Sequence, residues 1–325
     1  MKRDVGRLGR SMQKLSNPTN DFDAREARDR LTAIGLMVAA VGLFSGLDTA
    51  AKYLVTHYGL SVGQVVWARF FGQFVMLATC VPLLGVMSLR ALLTTSHLKL
   101  QLIRSVLMVA TTAFNFMALR YLRLDQTITI VFLAPLVVAL LAGPLLGEWV
   151  GWRRFVAILV GFAGILIAIH PDASNVHPAV LMALSAMFAY ALFMLLTRYM
   201  ASFNPPLVTL FYSMFAGTVG GAPVAWMSWT TPPDALAWAL LACLGLLGGI
   251  GHYLFIHAYR LAPASTVAPF LYLQLLTMVA FGYAVFGDLP DVYTLAGAAI
   301  IVGSGVYLVH RERKVARAAR DAAKV

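Results

Sequence analysis

The sequence has little charge for its length. Asp, Glu, Lys and Arg make up 12% of the 325 residues, and hydrophobic residues make up 60%. Charged residues form about 25% of a typical soluble domain. The chain therefore has too few polar side chains to cover a water-soluble globule of this size. Its composition excludes an ordinary soluble protein and indicates a chain that lies in a lipid bilayer.

Cysteine is also scarce, and the motifs of several enzyme classes are missing. Cys80 and Cys243 lie in apolar runs, which predicts small buried thiols rather than a disulfide or a metal site. The chain has no H-E-x-x-H, no G-x-S-x-G and no Cys/His spacing typical of zinc. Its glycine clusters follow no predicted strand, so a nucleotide-binding loop is not expected. We expect no cofactor and no metal.

Long apolar segments fill most of the sequence from Leu31 onward. They are of the length that crosses a hydrocarbon core of about 30 Å, and short polar breaks separate them. The pattern predicts an all-α integral membrane protein with ten transmembrane helices. The approximate spans are 31–55, 62–85, 100–119, 125–146, 153–170, 178–198, 207–227, 235–256, 265–285 and 292–310.

Lys and Arg are concentrated on one side of this predicted topology. Most of the 25 basic residues fall in the two tails and in alternate loops, and we assign Lys99 and Arg104 to this basic side. The positive-inside rule then places both termini in the cytoplasm. The net charge of +11 is explained by this topology, so no nucleic acid is expected as a partner.

The tails, residues 1–30 and 311–325, are expected to be cytoplasmic and basic. The first tail has no cleavage site of a signal peptide. We expect it to be solvated, with an amphipathic helix on anionic lipid as the alternative.

One unit of the sequence occurs twice. An offset of 140 residues places Gly147-Glu148 on Gly287-Asp288, and it also places 118–170 on 258–310. This predicts a first repeat over 31–170 and a second over 171–310. Five helices per repeat is an odd number, so the second repeat is expected to be inverted relative to the first.

Charged residues at membrane depth are costly, which makes them candidates for function. Asp48 and Lys52 are four residues apart and can meet on one helix face. Both are candidates for proton or charge coupling, and a structural pair near the interface is the alternative. Arg69 could bind an anionic substrate, pair with Asp48 or serve packing. Asp125 is expected to cap the fourth helix, and the acids Glu148 and Asp288 are expected to be structural.

Other polar and aromatic residues in the spans are candidates for substrate binding. Such a set would suit a flat ring system by stacking and by hydrogen bonds to its edge. Packing, interface anchoring or a hydrogen-bonded core histidine is the alternative for each. The candidates are Asn115, Phe132, Tyr190, His252, Tyr272 and Gln274. Pro135 and Pro269 each remove a backbone hydrogen bond within an apolar run, which predicts kinks that act as hinges.

Several stretches together resemble a known family. They are A-L-R-Y-L at 118–122, F-L-A-P-L-V-V-A-L-L-A-G-P-L-L-G-E-W-V-G-W-R-R at 132–154 and G-F-A-G-I-L-I-A at 161–168. With the two five-helix repeats, they resemble the drug/metabolite transporter superfamily, in its EamA-type ten-helix branch, over 31–310. The second copy departs from the pattern, with Gly287-Asp288 where Gly-Glu is usual and Gln274-Leu275 where the first copy has Ala134-Pro135.

The resemblance implies a secondary transporter in the bacterial inner membrane, without an ATP-binding domain. Its cavity would be lined by the first, third, fourth, sixth, eighth and ninth helices. The stretch G-P-L-L-G-E-W-V-G-W-R-R at 143–154 is most similar to that of bacterial riboflavin-uptake members, followed by that of S-adenosylmethionine carriers. An exporter of amino acids or other metabolites and a polytopic membrane enzyme stay open as alternatives. The expected partners are a small-molecule substrate and the lipid bilayer, with a homodimer as a further option.

Overall fold

The computed structural model describes residues 18–134, 137–138, 140–141, 152–169, 177–200, 203, 205–261, 270–271 and 273–322. These residues form helices and connecting turns, and no strand occurs among them. The helices, numbered in chain order, are α1 (Pro18–Thr56), α2 (Val62–Leu83), α3 (Leu98–Leu119), α4 (Leu124–Val131), α5 (Trp152–Ile169), α6 (Ala179–Met200), α7 (Pro206–Met227), α8 (Ala235–Leu261), α9 (Leu273–Phe281) and α10 (Val292–Ala322). A single turn spans Leu89–Leu92, and a π-helical turn, Gly282–Phe286, continues α9.

Six of these helices are long and apolar enough to cross a membrane. They are the Arg28–Thr56 part of α1, then α2, α3, the Ala179–Thr197 part of α6, α7 and the Ala235–Ala258 part of α8. Each coincides with a predicted span to within a few residues. Two further apolar helices, Leu273–Phe286 and Val292–Ser304, are shorter. The all-helical membrane fold is thus confirmed, while the total of ten spans stays a prediction.

The outer surface of the bundle is apolar, as a lipid-facing surface must be. Val106 is 65% exposed and Leu181 is 67% exposed. Cys80 and Cys243 also lie exposed, so the prediction of buried thiols was wrong. In a bilayer the outside of a helix is as apolar as its inside, and an apolar run therefore does not tell which face is buried.

Local signals in the sequence explain several helix boundaries. The Ser61 side chain caps α2 by accepting a hydrogen bond from the Gln64 backbone at 3.1 Å. Pro206 occupies the first turn of α7, where its missing N–H costs nothing. Gly287 closes the π-helical turn with φ +71°, a conformation that glycine adopts without strain. At the start of the chain, α1 already begins at Pro18, within the tail that was expected to be solvated.

The helices pack in a small number of extensive contacts. α1 lies against α8, α2 lies against both α7 and α8, and α3 lies against α6 and α7. α5 and α10 form a pair of their own, and α9 contacts α1 and α4. The main core between them contains fully buried Phe70 and Phe116.

α2 and α8 approach so closely that their backbones touch. A Cβ atom placed on Gly245 would lie 2.5 Å from the Gly72 Cα, and one placed on Gly72 would lie 2.7 Å from the Gly245 Cα. Only glycine fits at both positions. Small residues at such crossings provide the close van der Waals packing that holds helices together in lipid.

We expect Gly245→Ala to destabilise the protein because the added methyl group must push α2 and α8 apart. Overpacking of this kind costs about 1–3 kcal/mol. Gly42→Ala is the matched control, since nothing lies within 4 Å of a Cβ at this helical position. That change should be neutral or stabilise by about 0.5–1 kcal/mol. Thermal unfolding of the purified protein in detergent compares the two, and equal melting temperatures would contradict the close contact.

Candidate functional site

Three polar side chains from α1, α2 and α3 meet inside the bundle. The Asn115 side-chain amide donates to Asp48 Oδ1 at 3.4 Å. Arg69 lies within electrostatic range of Asp48. Together with His252 of α8, described below, these residues form what we call the central cluster. The structure therefore brings together four of the residues that the sequence singled out.

Arg69 is held from one side by α3. Its Nη1 donates to Thr112 Oγ1 at 3.0 Å, and its guanidinium lies 5.8 Å from the centre of the Phe70 ring and 5.7 Å from that of Phe116. The buried Nε has no hydrogen-bond partner among the described residues. The aromatic faces favour the cation and fix its position. The Nε–H donor is thus left for another molecule.

His252 lies near two guanidinium groups. It is within electrostatic range of both Arg69 and Arg104. Its ring packs on Phe44, with 4.9 Å between ring centres, and its buried Nε2 has no partner in the described part of the chain. A neutral imidazole can offer this nitrogen as either donor or acceptor.

Two buried glutamines were missed by sequence reasoning. Gln73 is 1% exposed and Gln101 is fully buried, and neither side-chain amide makes a hydrogen bond to the described residues. The Gln73 amide lies directly over Gly248, in space that any side chain there would fill. Gln73 also follows Arg69 by four residues, so the two share one face of α2. That spacing was the signal available in the sequence.

Arg104 was missed as well, because its position near the start of α3 suggested the basic membrane flank. Its side chain instead turns into the bundle and is 5% exposed. Nε donates to Thr197 Oγ1 at 2.7 Å, and Nη1 donates to the Thr209 carbonyl at 3.0 Å and to Ser213 Oγ at 2.7 Å. These contacts join α3 to α6 and α7.

The interior polar groups have unused hydrogen-bonding capacity. An unsatisfied buried donor or acceptor costs about 1–3 kcal/mol, so each such atom favours the arrival of a polar molecule. Within the described residues, no three His, Cys, Asp or Glu side chains lie together as metal ligands would. The arrangement is suited to binding a polar small molecule rather than to catalysis by a metal.

Comparison with known proteins finds a family match in the second half of the chain. The model of the EamA-like transporter family matches residues 177–310. Over these residues the chain is similar to membrane transporters of that family. The match confirms the resemblance to the drug/metabolite transporter superfamily that the repeated stretches indicated.

Relatives that match along most of the chain carry different names. An S-adenosylmethionine uptake transporter of Rickettsia conorii is 28% identical over 87% of this chain and 94% of its own. A riboflavin transporter of Vibrio cholerae is 29% identical over 88% and 96%. A pseudopaline exporter of Pseudomonas aeruginosa is 24% identical over 62% and 71%.

A solved crystal structure shares the fold of this transporter. The two have a TM-score of 0.60 at 18% sequence identity, and the match covers 85% of this chain and 96% of the other. The bacterial relatives and the apolar helices together indicate a multi-pass protein of the inner membrane.

The aromatic and amide candidates of the transporter are distributed more widely than the charged ones. Phe132 is 7% exposed and belongs to the main core. Tyr190 stacks on Phe193, with 6.1 Å between ring centres. Gln274 is half-buried on α9, one turn from Thr277, whose hydroxyl contacts the Ser45 hydroxyl of α1. Three other candidates lie outside the described residues: Tyr272, Pro135 and Pro269.

Lys52 pairs with Asp288 and not with Asp48, the acid four residues before it. Its Nζ lies 3.1 Å from Asp288 Oδ2 and 4.5 Å from the centre of the Phe286 ring. Asp48 faces the central cluster instead. The ion pair joins the end of α1 to the Gly-acid corner after α9, so Asp288 serves as a partner of Lys52. Its counterpart Glu148 lies outside the described residues.

A second ionic group lies at the same end of the transporter. The Arg123 guanidinium contacts Asp125 at 2.9 Å and Asp291 at 3.3 Å. Asp125 was expected to cap α4, but the helix begins after Arg123, and Asp125 lies in its first turn. Asp291 caps α10. Partial burial disfavours its charge, but hydrogen bonds from the Thr294 backbone and hydroxyl and the attraction of Arg123 outweigh that effect and lower the pKa of Asp291.

We expect Lys52→Met to lower the free energy of unfolding by about 1–3 kcal/mol, because it leaves the partly buried Asp288 carboxylate without its partner. The double variant Lys52→Met with Asp288→Asn should recover most of the loss, because no unpaired charge then remains. Lys99→Met, at an exposed position on α3, is the control. Thermal unfolding in detergent measures the parent, both single variants, the double variant and the control. Losses that simply add in the double variant would show that the pair does not couple.

Proposed function

We propose that this protein is a secondary transporter that moves a small organic metabolite across the inner membrane by alternating access. The observation that carries the proposal is the central cluster. Asp48, Arg69 and Asn115 come from the first predicted repeat and His252 from the second, so the polar site lies between the two halves. Substrate sites at the interface between repeats are characteristic of secondary transporters.

The packing of the helices supports an inverted repeat. Under the offset of 140 residues, α1, α2 and α3 correspond to α6, α7 and α8. The contact of α1 with α8 then has a counterpart in α6 with α3, and that of α2 with α8 has a counterpart in α7 with α3. These contacts between the halves thus occur in pairs, as a pseudo-twofold axis requires.

The same correspondence extends to single residues. Gln73 corresponds to Ser213, and Gly245 corresponds to Ser105. A Cβ on Gly245 would lie 3.1 Å from the Gln73 backbone nitrogen, and the Ser105 and Ser213 hydroxyls are 3.5 Å apart. Equivalent positions therefore meet at both helix crossings.

Alternating access requires the halves to separate at one end while they stay joined at the other. At the end where α1 finishes, Lys52 pairs with Asp288, and the Gln64 side-chain amide exchanges two hydrogen bonds with the Thr230 backbone, at 2.9 and 3.0 Å. At the end where α2 finishes, the Tyr212 hydroxyl donates to the Leu93 carbonyl at 2.7 Å. We propose that these two groups of contacts open in turn. We also propose that both termini lie in the cytoplasm.

Riboflavin uptake is the first hypothesis for the cargo. It is based on the stretch at 143–154 and on the relatives named riboflavin transporters. Tyr190, Tyr272 and Phe132 would contact its ring, and Asn115, Gln274 and His252 would bind its polar edge. A specific observation favours S-adenosylmethionine as a second candidate. The interior contains charged groups of both signs, Asp48 with Arg69 and Arg104. They suit S-adenosylmethionine, which itself carries charges of both signs, better than a neutral flavin.

The test is uptake of labelled riboflavin and labelled S-adenosylmethionine by bacteria, with and without the protein. For riboflavin, the host is a strain that cannot synthesise it, and growth at low external riboflavin is a second readout. We expect expression to raise uptake of one of the two compounds. If neither enters faster despite confirmed membrane expression, both cargo hypotheses fail. Loss of preloaded compound from the cells would instead indicate an exporter.

Asp48 is the proposed proton-coupling group. Lys52 and Arg69 are further candidates for charge coupling. We expect Asp48→Asn to remove the dependence of uptake on external pH, because the amide keeps the shape of the side chain but cannot exchange a proton. Asp234→Asn is the control, since Asp234 caps α8 at its exposed end and asparagine caps equally well. An Asp48→Asn protein with the parent's pH profile would rule out this role.

A further inference from the structure

Arg104 is a buried cation whose partners are all neutral. Its three hydrogen bonds go to two hydroxyls and one backbone carbonyl, and its guanidinium lies 4.3 Å from the centre of the Phe193 ring. These contacts hold the group in place but do not cancel its charge. An uncompensated charge at this depth costs several kcal/mol.

The described residues provide no acid for it. Arg104 forms no ion pair with any of them. The interior therefore holds two guanidinium groups, Arg69 and Arg104, for the one carboxylate of Asp48. One positive charge is left over in this part of the structure.

Arg104 also has donors to spare. A guanidinium carries five N–H groups, and the three observed bonds use Nε and Nη1. The Nη2 group donates to none of the described residues. The His252 Nε2, which lies within electrostatic range of Arg104, is likewise without a partner. A fixed guanidinium with an unused Nη2 group and an imidazole within its electrostatic range thus remain available for another molecule.

We propose that Arg104 binds a carboxylate of the transported molecule and that the cargo is accordingly an organic acid, amino acids included. This inference rests on the transporter function proposed above and names the class of its substrate. One carboxylate pairs with the single guanidinium of Arg104, whereas a phosphate dianion would bring more charge than this group can pair and a neutral flavin would leave it unpaired. A charge-assisted bond to a guanidinium is also stronger than a neutral one.

The first test uses pairs of compounds that differ in the carboxylate. S-adenosylhomocysteine carries an amino-acid group that 5′-methylthioadenosine lacks, and methionine carries a carboxylate that methioninol lacks. We expect at least one carboxylate compound to raise the melting temperature of the purified protein and to bind at least about tenfold more tightly than its partner. Equal binding within each pair, binding of riboflavin alone, or no binding by any carboxylate would overturn the proposal. Riboflavin binding would nevertheless leave the transporter function intact.

The second test assigns the effect to Arg104. Arg104→Gln should abolish the preference for the carboxylate compound, while Arg120→Gln, at an exposed position after α3, should keep it. Should Arg104→Gln fail to fold, Thr197→Val keeps the charge but removes the Nε acceptor that orients it, and it should reduce the preference by a smaller factor. A folded Arg104→Gln protein, or Thr197→Val in its place, that keeps the full preference would overturn the assignment.

Discussion

Polar and charged side chains inside a bilayer must find partners within the protein, and this requirement organises the structure. Several such groups reach across from one half of the chain to the other. Lys52 reaches Asp288, Gln64 reaches Thr230, and Arg104 reaches Thr197 and Ser213. The same bonds that satisfy buried groups therefore also hold the halves together. The hydrophobic effect adds little to this, because lipid is as good a neighbour for an apolar side chain as another helix is.

The exceptions define the site. The residues with unused hydrogen-bonding atoms are concentrated on α2, α3 and α8. They are Arg69, Gln73, Gln101, Arg104 and His252. A soluble protein can leave such groups to water at its surface, but a group in the middle of a membrane has no such recourse. Such groups would be stabilised by a hydrated or polar cargo that occupies the space between the halves during part of the proposed cycle.

Much of the fold could be predicted from hydropathy, because the length of an apolar run is set by the thickness of the bilayer. The six long spans agree with prediction for this reason. The orientation of side chains could not be predicted in the same way. Cys80 and Cys243 turn outward, and Lys52 turns away from Asp48 although four residues separate them. Spacing along a helix says which residues share a face, but tertiary packing decides what that face meets.

The candidate site was predictable where residues were out of place in hydrocarbon. Asp48, Arg69, Asn115 and His252 were found in this way, and they meet. Arg104 escaped because a base near the start of a helix is usually explained by the membrane interface, and Gln73 escaped because a neutral amide in an apolar run attracts less notice. The aromatic residues gave the weakest signal. Phe132 serves the core, and Tyr190 packs against the ring that covers Arg104.

The backbone contact between Gly72 and Gly245 has a consequence for motion. A contact without side chains has no rotamers to rearrange and no knobs to withdraw from holes, so α2 can change its crossing angle on α8 there with little repacking. In the alternating-access cycle proposed above, such a point would be the fulcrum, which moves least while the helix ends on either side of it swing in opposite directions. The energetic threshold for that swing would then lie at the polar bonds near the two ends of the bundle and not at the crossing itself.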